Sequence, residues 1–238
     1  MRQRRVGGIE EKLAEYADLI LKPETEPEAF LPNGRPVRWY QRGSGLYGIS
    51  NIRPRVFVEF GCGRGLFINT LAAEDAKSLY IGAEGCKTIV YKALRNTRSN
   101  GLTNVRYIDT FINNAAEAFE ENSLDGIFLN FSDPWPKDRH AERRLTAPRK
   151  AGSYLRILKP EGFVTFKTDG EDFFDYSHGT FKEAGFSIEY ASRDLPSRRE
   201  LLPSADDIAT LALNTPTEYE LRFRALKLPI YAFIAKKP

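Results

Sequence analysis

The sequence predicts an α/β protein built on a doubly wound, mostly parallel sheet of seven strands with helices on both faces. From residue 55 onward, short β-branched or aromatic runs alternate with longer amphipathic stretches, the pattern of repeated βαβ units. The first run leads straight into a glycine-rich turn, and the first three runs each carry a carboxylate at or near their carboxyl end. Strands are expected near 55–60, 78–83, 104–109, 124–130, 162–168, 186–192 and 229–236. Between them Leu66–Glu74, Thr88–Ser99, Ala147–Lys159 and Glu171–Ala184 have helical spacing. The stretch 193–216 holds Pro196, Pro203 and Pro216 and reads as a long loop with a short helix near Ala205–Leu213. The segment 23–54 is broken by Pro23, Pro27, Pro32, Pro36, Gly43, Gly45 and Gly48, with Trp39-Tyr40 as its aromatic anchor. Residues 1–54 therefore read as an N-terminal extension with a basic start, packed on a main domain over 55–238. No internal repeat or low-complexity tract is visible.

A chain of 238 residues with 42% hydrophobic content supports one sizeable core rather than two full domains. A net charge of +3 makes no case for a polyanionic partner, but the clustering of the charge does. Met1-Arg2-Gln3-Arg4-Arg5 is a basic start with no apolar stretch behind it, so no export signal is expected. No run approaches the roughly 18 apolar residues of a membrane span. Cys62 and Cys86 are the only cysteines, which suits a reducing cytoplasm. His140 and His178 have no Cys or carboxylate neighbours at metal spacing, so no metal site is expected.

Strand one ends in Glu59-Phe60-Gly61-Cys62-Gly63-Arg64-Gly65. Glycines there let the backbone turn tightly and approach a ligand closely, which makes Gly61 and Gly63 candidate cofactor contacts. A dinucleotide fingerprint places its third glycine three residues after the second, whereas Gly65 follows Gly63 by two, which disfavours nicotinamide. Arg64-Gly65-Leu66 lacks the Gly-Lys-Ser/Thr of a phosphate loop. Glu59, just before the turn, suits a ligand bearing an ammonium group better than a pyrophosphate. Glu84 closes strand two, where an acid can chelate ribose hydroxyls, and Asp109 closes strand three, placed to accept from an adenine amino group. Neither cysteine has an identifiable base, so neither is read as a nucleophile. The pattern Glu-x-Gly-x-Gly-x-Gly resembles motif I of S-adenosylmethionine-dependent methyltransferases.

More specific is Asn130-Phe131-Ser132-Asp133-Pro134-Trp135-Pro136-Lys137-Asp138-Arg139, in which strand four delivers a carboxylate and turns on prolines. A basic run continues through Arg139, His140, Arg143, Arg144, Arg149 and Lys150 and reads as an ordered loop over RNA, where salt-sensitive phosphate contacts are expected. Trp135 is either a rim aromatic that stacks on a base or a core plug beneath the turn. With this stretch the chain resembles the bacterial tRNA (guanine-N7-)-methyltransferases, which methylate guanine 46 of the variable loop. The resemblance runs from about residue 55 to the end and includes the basic start. It implies the Rossmann-like methyltransferase fold, S-adenosylmethionine held by Glu59, Glu84, Asp109 and Asp133, and Asp133 as catalytic residue. It also implies substrate contacts from Lys137, Asp169 and Thr217-Glu218-Tyr219-Glu220, and RNA contacts from Arg139, His140, Arg143 and Arg144. Gly85 stands where the family more often has a larger residue, Thr110 replaces a common alanine, and the 193–216 loop is longer than usual.

The chemistry asks little of a protein. Guanine N7 has an in-plane lone pair and no proton, so attack on a sulfonium methyl needs alignment rather than a general base, and the product base is cationic. Asp133 can accept from guanine N1 and N2 and offset the growing positive charge, with Asp169 sharing the task. The rival readings are methylation of an exocyclic amine, for which an acid, proline and aromatic in this order are close to the pattern, and a non-catalytic RNA-binding module. The row of acids argues against the module, because RNA binding alone needs none. A monomer or a homodimer fits equally.

Overall fold

A computed structural model describes residues 7–21, 54–112, 115–195 and 207–238. The basic start at Arg2, Arg4 and Arg5 and the anchor Trp39-Tyr40 lie outside the described residues, as do most of the expected 23–54 extension and part of the 193–216 loop. Seven strands form one sheet: β1 Val56–Phe60, β2 Leu79–Ala83, β3 Val105–Ile108, β4 Leu124–Asn130, β5 Leu158–Thr168, β6 Ser187–Ser192 and β7 Tyr231–Lys236. Their order is β3-β2-β1-β4-β5-β7-β6, with β7 antiparallel to both neighbours. The order reverses between β1 and β4, which pair in parallel. In such sheets the ligand crevice opens at the carboxyl ends beside that reversal.

The alternation of side chains along β1 and β4 divides the core in two. Phe57 and Phe128 join one apolar layer with Ile68, Leu71, Val90 and Leu94, while Val58, Ile127 and Leu129 join the other with Val164, Phe166 and Phe181. The helices are α1 Ile9–Ala14, α2 Leu66–Glu74, α3 Lys87–Ser99, α4 Ala115–Ala118, α5 Pro148–Ile157, α6 Glu171–Glu183, α7 Ile208–Asn214 and α8 Glu218–Ala225. Pro148 opens α5, where its missing N–H costs no hydrogen bond. Residues 7–21 cover the β3 edge: Leu13, Leu19 and Ile20 are buried in the core, and the Leu21 amide donates to the Tyr107 carbonyl at 2.8 Å. The pattern-based reading does not anticipate α1, α4, α8 or a short 3-10 helix over Asp138–Arg143. Each is too short for its periodicity to announce it.

Candidate active site

Gly61, Gly63 and Gly65 all adopt left-handed backbone, with φ of 76°, 56° and 74°. A Cβ at Gly61 or Gly63 would meet nothing within 4 Å, whereas one at Gly65 would lie 2.4 Å from the Tyr107 hydroxyl. The first two glycines keep space open beside the turn, and the third lets α2 pack against the sheet. The turn is tied to β2 by the Gly61 and Cys62 amides, which donate to the Ala83 carbonyl at 2.8 and 3.2 Å. Glu84 accepts from the Cys86 amide at 2.9 Å and also from the Gly63 and Gly85 amides. Burial still raises its pKa above the ordinary carboxylate value, and the nearby Asp133 charge adds to the rise.

A cavity of about 730 Å³ opens here, bounded on one side by Gly61, Glu84 and Phe111 and on the other by Ser132, Asp133 and Trp135. Asp109 is half-buried and is not among the lining residues, where Thr110, Phe111 and Ile112 stand instead. Glu59 also lies behind the wall. It is buried in β1 and accepts from the Asn130 amide nitrogen at 2.9 Å, and Asn130 is the residue that reaches the cavity. Burial pushes the Glu59 pKa up to about 8, against the lowering effects of Asn130 and Lys167. Three polar atoms in this layer are buried without a partner: Glu59 Oε2, Asn130 Oδ1 and Ser132 Oγ.

Beyond β4 the chain turns with Phe131 and Trp135 in left-handed backbone, at φ 49° and 41°. The Phe131 amide donates to the Lys167 carbonyl at 2.8 Å. Arg144 braces the turn by donating to the Pro134 and Trp135 carbonyls at 2.8 and 3.1 Å, with its guanidinium 4.2 Å over the Tyr176 ring. Asp133 is left exposed at the cavity wall. Trp135 is not a core plug: it is half-buried, lines the cavity, and carries Arg143 5.0 Å over its ring and His140 against its edge. Arg143, Arg149 and Lys150 also face the cavity, while Lys137 and Arg139 are exposed outside it.

The run Thr217–Glu220 forms the start of α8, and its four residues, all expected to contact substrate, are placed differently. Thr217 is the N-cap, and it forms a capping box with Glu220, whose carboxylate accepts from the Thr217 amide at 3.3 Å. Glu220 is fully buried and spends its oxygens on Lys167 and Arg224 as well, so it has no free face for a ligand. Glu218 pairs with Arg64 of the glycine turn. Tyr219 lies behind the site: its hydroxyl donates to Asp169 at 3.2 Å and its ring packs 5.2 Å from Phe131, which lines the cavity, while Tyr219 and Asp169 themselves do not.

Comparison with known proteins agrees with this geometry. A family model described as "Putative methyltransferase" matches residues 53–233. The tRNA (guanine-N(7)-)-methyltransferase of Lactobacillus johnsonii is 35% identical over 235 residues, covering 99% of this chain and 98% of its own. That of Bacillus subtilis is 31% identical over 231 residues, covering 97% and 96%. The chain belongs to the tRNA (guanine-N7-)-methyltransferase family. Its fold is also that of the 16S rRNA methyltransferase KamB, at TM-score 0.55 and 11% identity over 77% of this chain and 88% of that one. An S-adenosylmethionine-dependent methyltransferase from Aquifex aeolicus gives TM-score 0.52 at 12% identity, over 77% and 82%.

The residues of this methyltransferase fit that cofactor. The open space at Gly61 and Gly63, the acid at the end of β2 and the unpartnered Asn130 and Ser132 atoms at the cavity wall offer shape and hydrogen-bonding groups to a ligand rich in donors. Sequence reasoning missed Ser132, Phe111, Ile112 and Glu142 as lining residues and Lys167 altogether. Ser132 was open to view inside the strand-four stretch. Phe111 carried a signal in Gly85, because a side chain at Gly85 would collide with the Phe111 ring at 2.3 Å, so the small residue and the large one are complementary.

Proposed function

We propose that the chain transfers the methyl group of S-adenosylmethionine to N7 of guanine 46 in the variable loop of tRNA, with Asp133 as the residue that holds the base. The observation that carries the reading is one cavity with a glycine turn and Glu84 on one side and the exposed Asp133 with Trp135 on the other. Such a cavity suits two ligands meeting at its middle. The open turn at Gly61 and Gly63, Glu84 and Asp109, with Glu59 acting through Asn130, would hold the cofactor, which when bound supplies an electrophilic sulfonium methyl.

The protein's own work is alignment. Asp133 accepts from guanine N1 and N2, which turns the N7 edge inward, and its charge favours the cationic product. Asp169, exposed at the end of β5 and held by the Tyr219 hydroxyl, would offer a second carboxylate just outside the cavity. Trp135, with Arg143 over its ring, offers a face on which an unstacked base can lie. Arg143, Arg149 and Lys150 place cations where the flanking phosphates enter; burial lowers the Lys150 pKa, an effect that a phosphate would oppose. Lys137, Arg139 and His140 extend this surface outward. No proton leaves N7, so no residue is needed as a base.

Purified protein given unmodified tRNA transcript and methyl-labelled S-adenosylmethionine should yield label in 7-methylguanosine, read by nucleoside mass spectrometry. Label in an exocyclic-amine product would replace this reading with the amine rival.

A further inference from the structure

Lys167 lies in β5 with its side chain completely buried, an expensive place for an ammonium unless every donor is used. Every donor is. Nζ donates to Glu220 Oε2 at 2.8 Å, to the Thr215 carbonyl at 2.7 Å and to the Ala212 carbonyl at 3.3 Å. The last two are carbonyls at the end of α7, and Glu220 belongs to the first turn of α8. The backbone carbonyl of the same lysine accepts the Phe131 amide, which opens the strand-four turn. One residue thus joins the turn that carries Asp133 to the helix pair that carries Tyr219. Two residues along, Asp169 receives the Tyr219 hydroxyl, and the Tyr219 ring rests on Phe131.

For packing alone an apolar side chain would serve, since replacing a buried ion pair by apolar groups is often neutral or stabilising. What the ammonium adds is direction, with three donors fixing the end of α7 and the start of α8 to one point of the sheet. We propose that Lys167 is a positioning residue for methyl transfer, holding α8 through Glu220 so that Tyr219, tied to Asp169, backs the Phe131 wall of the cavity next to Asp133. The inference rests on the proposed reaction for its kinetic readout only.

The test is the double variant Lys167→Met with Glu220→Gln, which removes both charges and keeps an acceptor for the capping box. Hydrogen exchange should show lost protection in α8 and in the strand-four turn, with the sheet and S-adenosylmethionine affinity unchanged. On tRNA, kcat should fall about 10- to 100-fold, as misplacement by an ångström does. KM should stay within about threefold, because phosphate contacts dominate affinity. Native protection in α8 and the turn, or wild-type kcat, overturns the proposal, and so does loss of cofactor affinity in proportion to lost activity. Should the double variant fail to fold, Tyr219→Phe alters only the exposed end of the chain of contacts. It should lower kcat about three- to tenfold without changing KM, and wild-type kcat there also overturns the proposal. Failure of the wild-type protein to form 7-methylguanosine would overturn the proposed reaction instead, and the exchange data would still decide whether Lys167 holds the wall.

Discussion

The two sides of the cavity are built by different means. The side proposed for the cofactor is backbone: three left-handed glycines, two amides on the Ala83 carbonyl, and a Glu84 side chain held by the amides around it. Its parts come from β1, β2 and β3, consecutive in sequence and adjacent in the sheet. The side proposed for the base is side chain: Arg144 bracing the strand-four turn, Tyr219 reaching Asp169 across 50 residues, and Lys167 reaching Glu220 across 53. A ligand of fixed shape can be met by a rigid loop, whereas a base splayed from RNA has to be met by groups gathered from several loops.

If the base side carries the chemistry, the largest effect belongs to Asp133. Asp133→Ala should reduce single-turnover methyl transfer at least about 100-fold, the scale of losing a group that stabilises developing charge. The side chain is exposed, so the melting temperature should not move. Wild-type turnover would take the residue out of its role. On the cofactor side the effects should be structural instead. Gly65→Ala puts a methyl group 2.4 Å from a Tyr107 hydroxyl that is already hydrogen-bonded to Thr97 at 2.8 Å and Asn69 at 3.2 Å and cannot step aside. With left-handed strain added, a loss of about 2 to 4 kcal/mol in unfolding free energy is expected. Gly63→Ala meets no atom and should cost only about 1 kcal/mol. Its larger effect should be on cofactor affinity. Equal melting temperatures for the two variants would show that the packing at Gly65 is not what the third glycine serves.

The same contrast explains what could be read from the sequence. Seven strands and the flanking helices follow from local alternation, and α2 falls on Leu66–Glu74 as its spacing predicts. Glu84 and Asp133 follow because residues at strand ends in a parallel sheet share one edge. What the sequence hid is where a side chain points once its strand is placed. Glu59 at the end of β1 suggests a ligand contact, yet the pleat turns it onto Asn130. Thr217 and Glu220 have the spacing of a capping box, a signal that the resemblance to substrate-binding residues masked. Lys167 in an apolar strand looks like a solvated charge, and only the fold of α7 and α8 over it reveals three partners.

Glu59 offers a test in which the two sides respond to pH. Its pKa is raised from 4.5 to about 8, mainly by burial. Below about pH 4.5 the carboxyl is protonated in folded and unfolded chains alike. Between there and about pH 8 the folded state keeps a proton that the unfolded state has released, so this group's contribution to stability falls as pH rises through that window. Each pKa unit corresponds to about 1.4 kcal/mol, which makes the total a few kcal/mol. Glu59→Gln should flatten the dependence between pH 5 and 8 in urea titrations. An unaltered slope would mean that Glu59 is ionised in the folded protein, stabilised by Lys167 more strongly than burial opposes it.

The smallest effects should separate two adjacent arginines. Arg143 lies over Trp135 at the cavity rim and makes no hydrogen bond to the turn, which leaves its guanidinium able to meet a phosphate. Arg144 is spent on the Pro134 and Trp135 carbonyls. Arg143→Ala should therefore weaken tRNA binding severalfold and lower the slope of log affinity against log salt by about one. Arg144→Ala should leave that slope alone and slow turnover, because Trp135 sits at φ 41° and relies on the guanidinium to hold a strained turn. Binding across a salt series and single-turnover rates, measured on both variants, decide between them. If the slope changes with Arg144 and not with Arg143, the brace and the phosphate contact have been assigned to the wrong arginines.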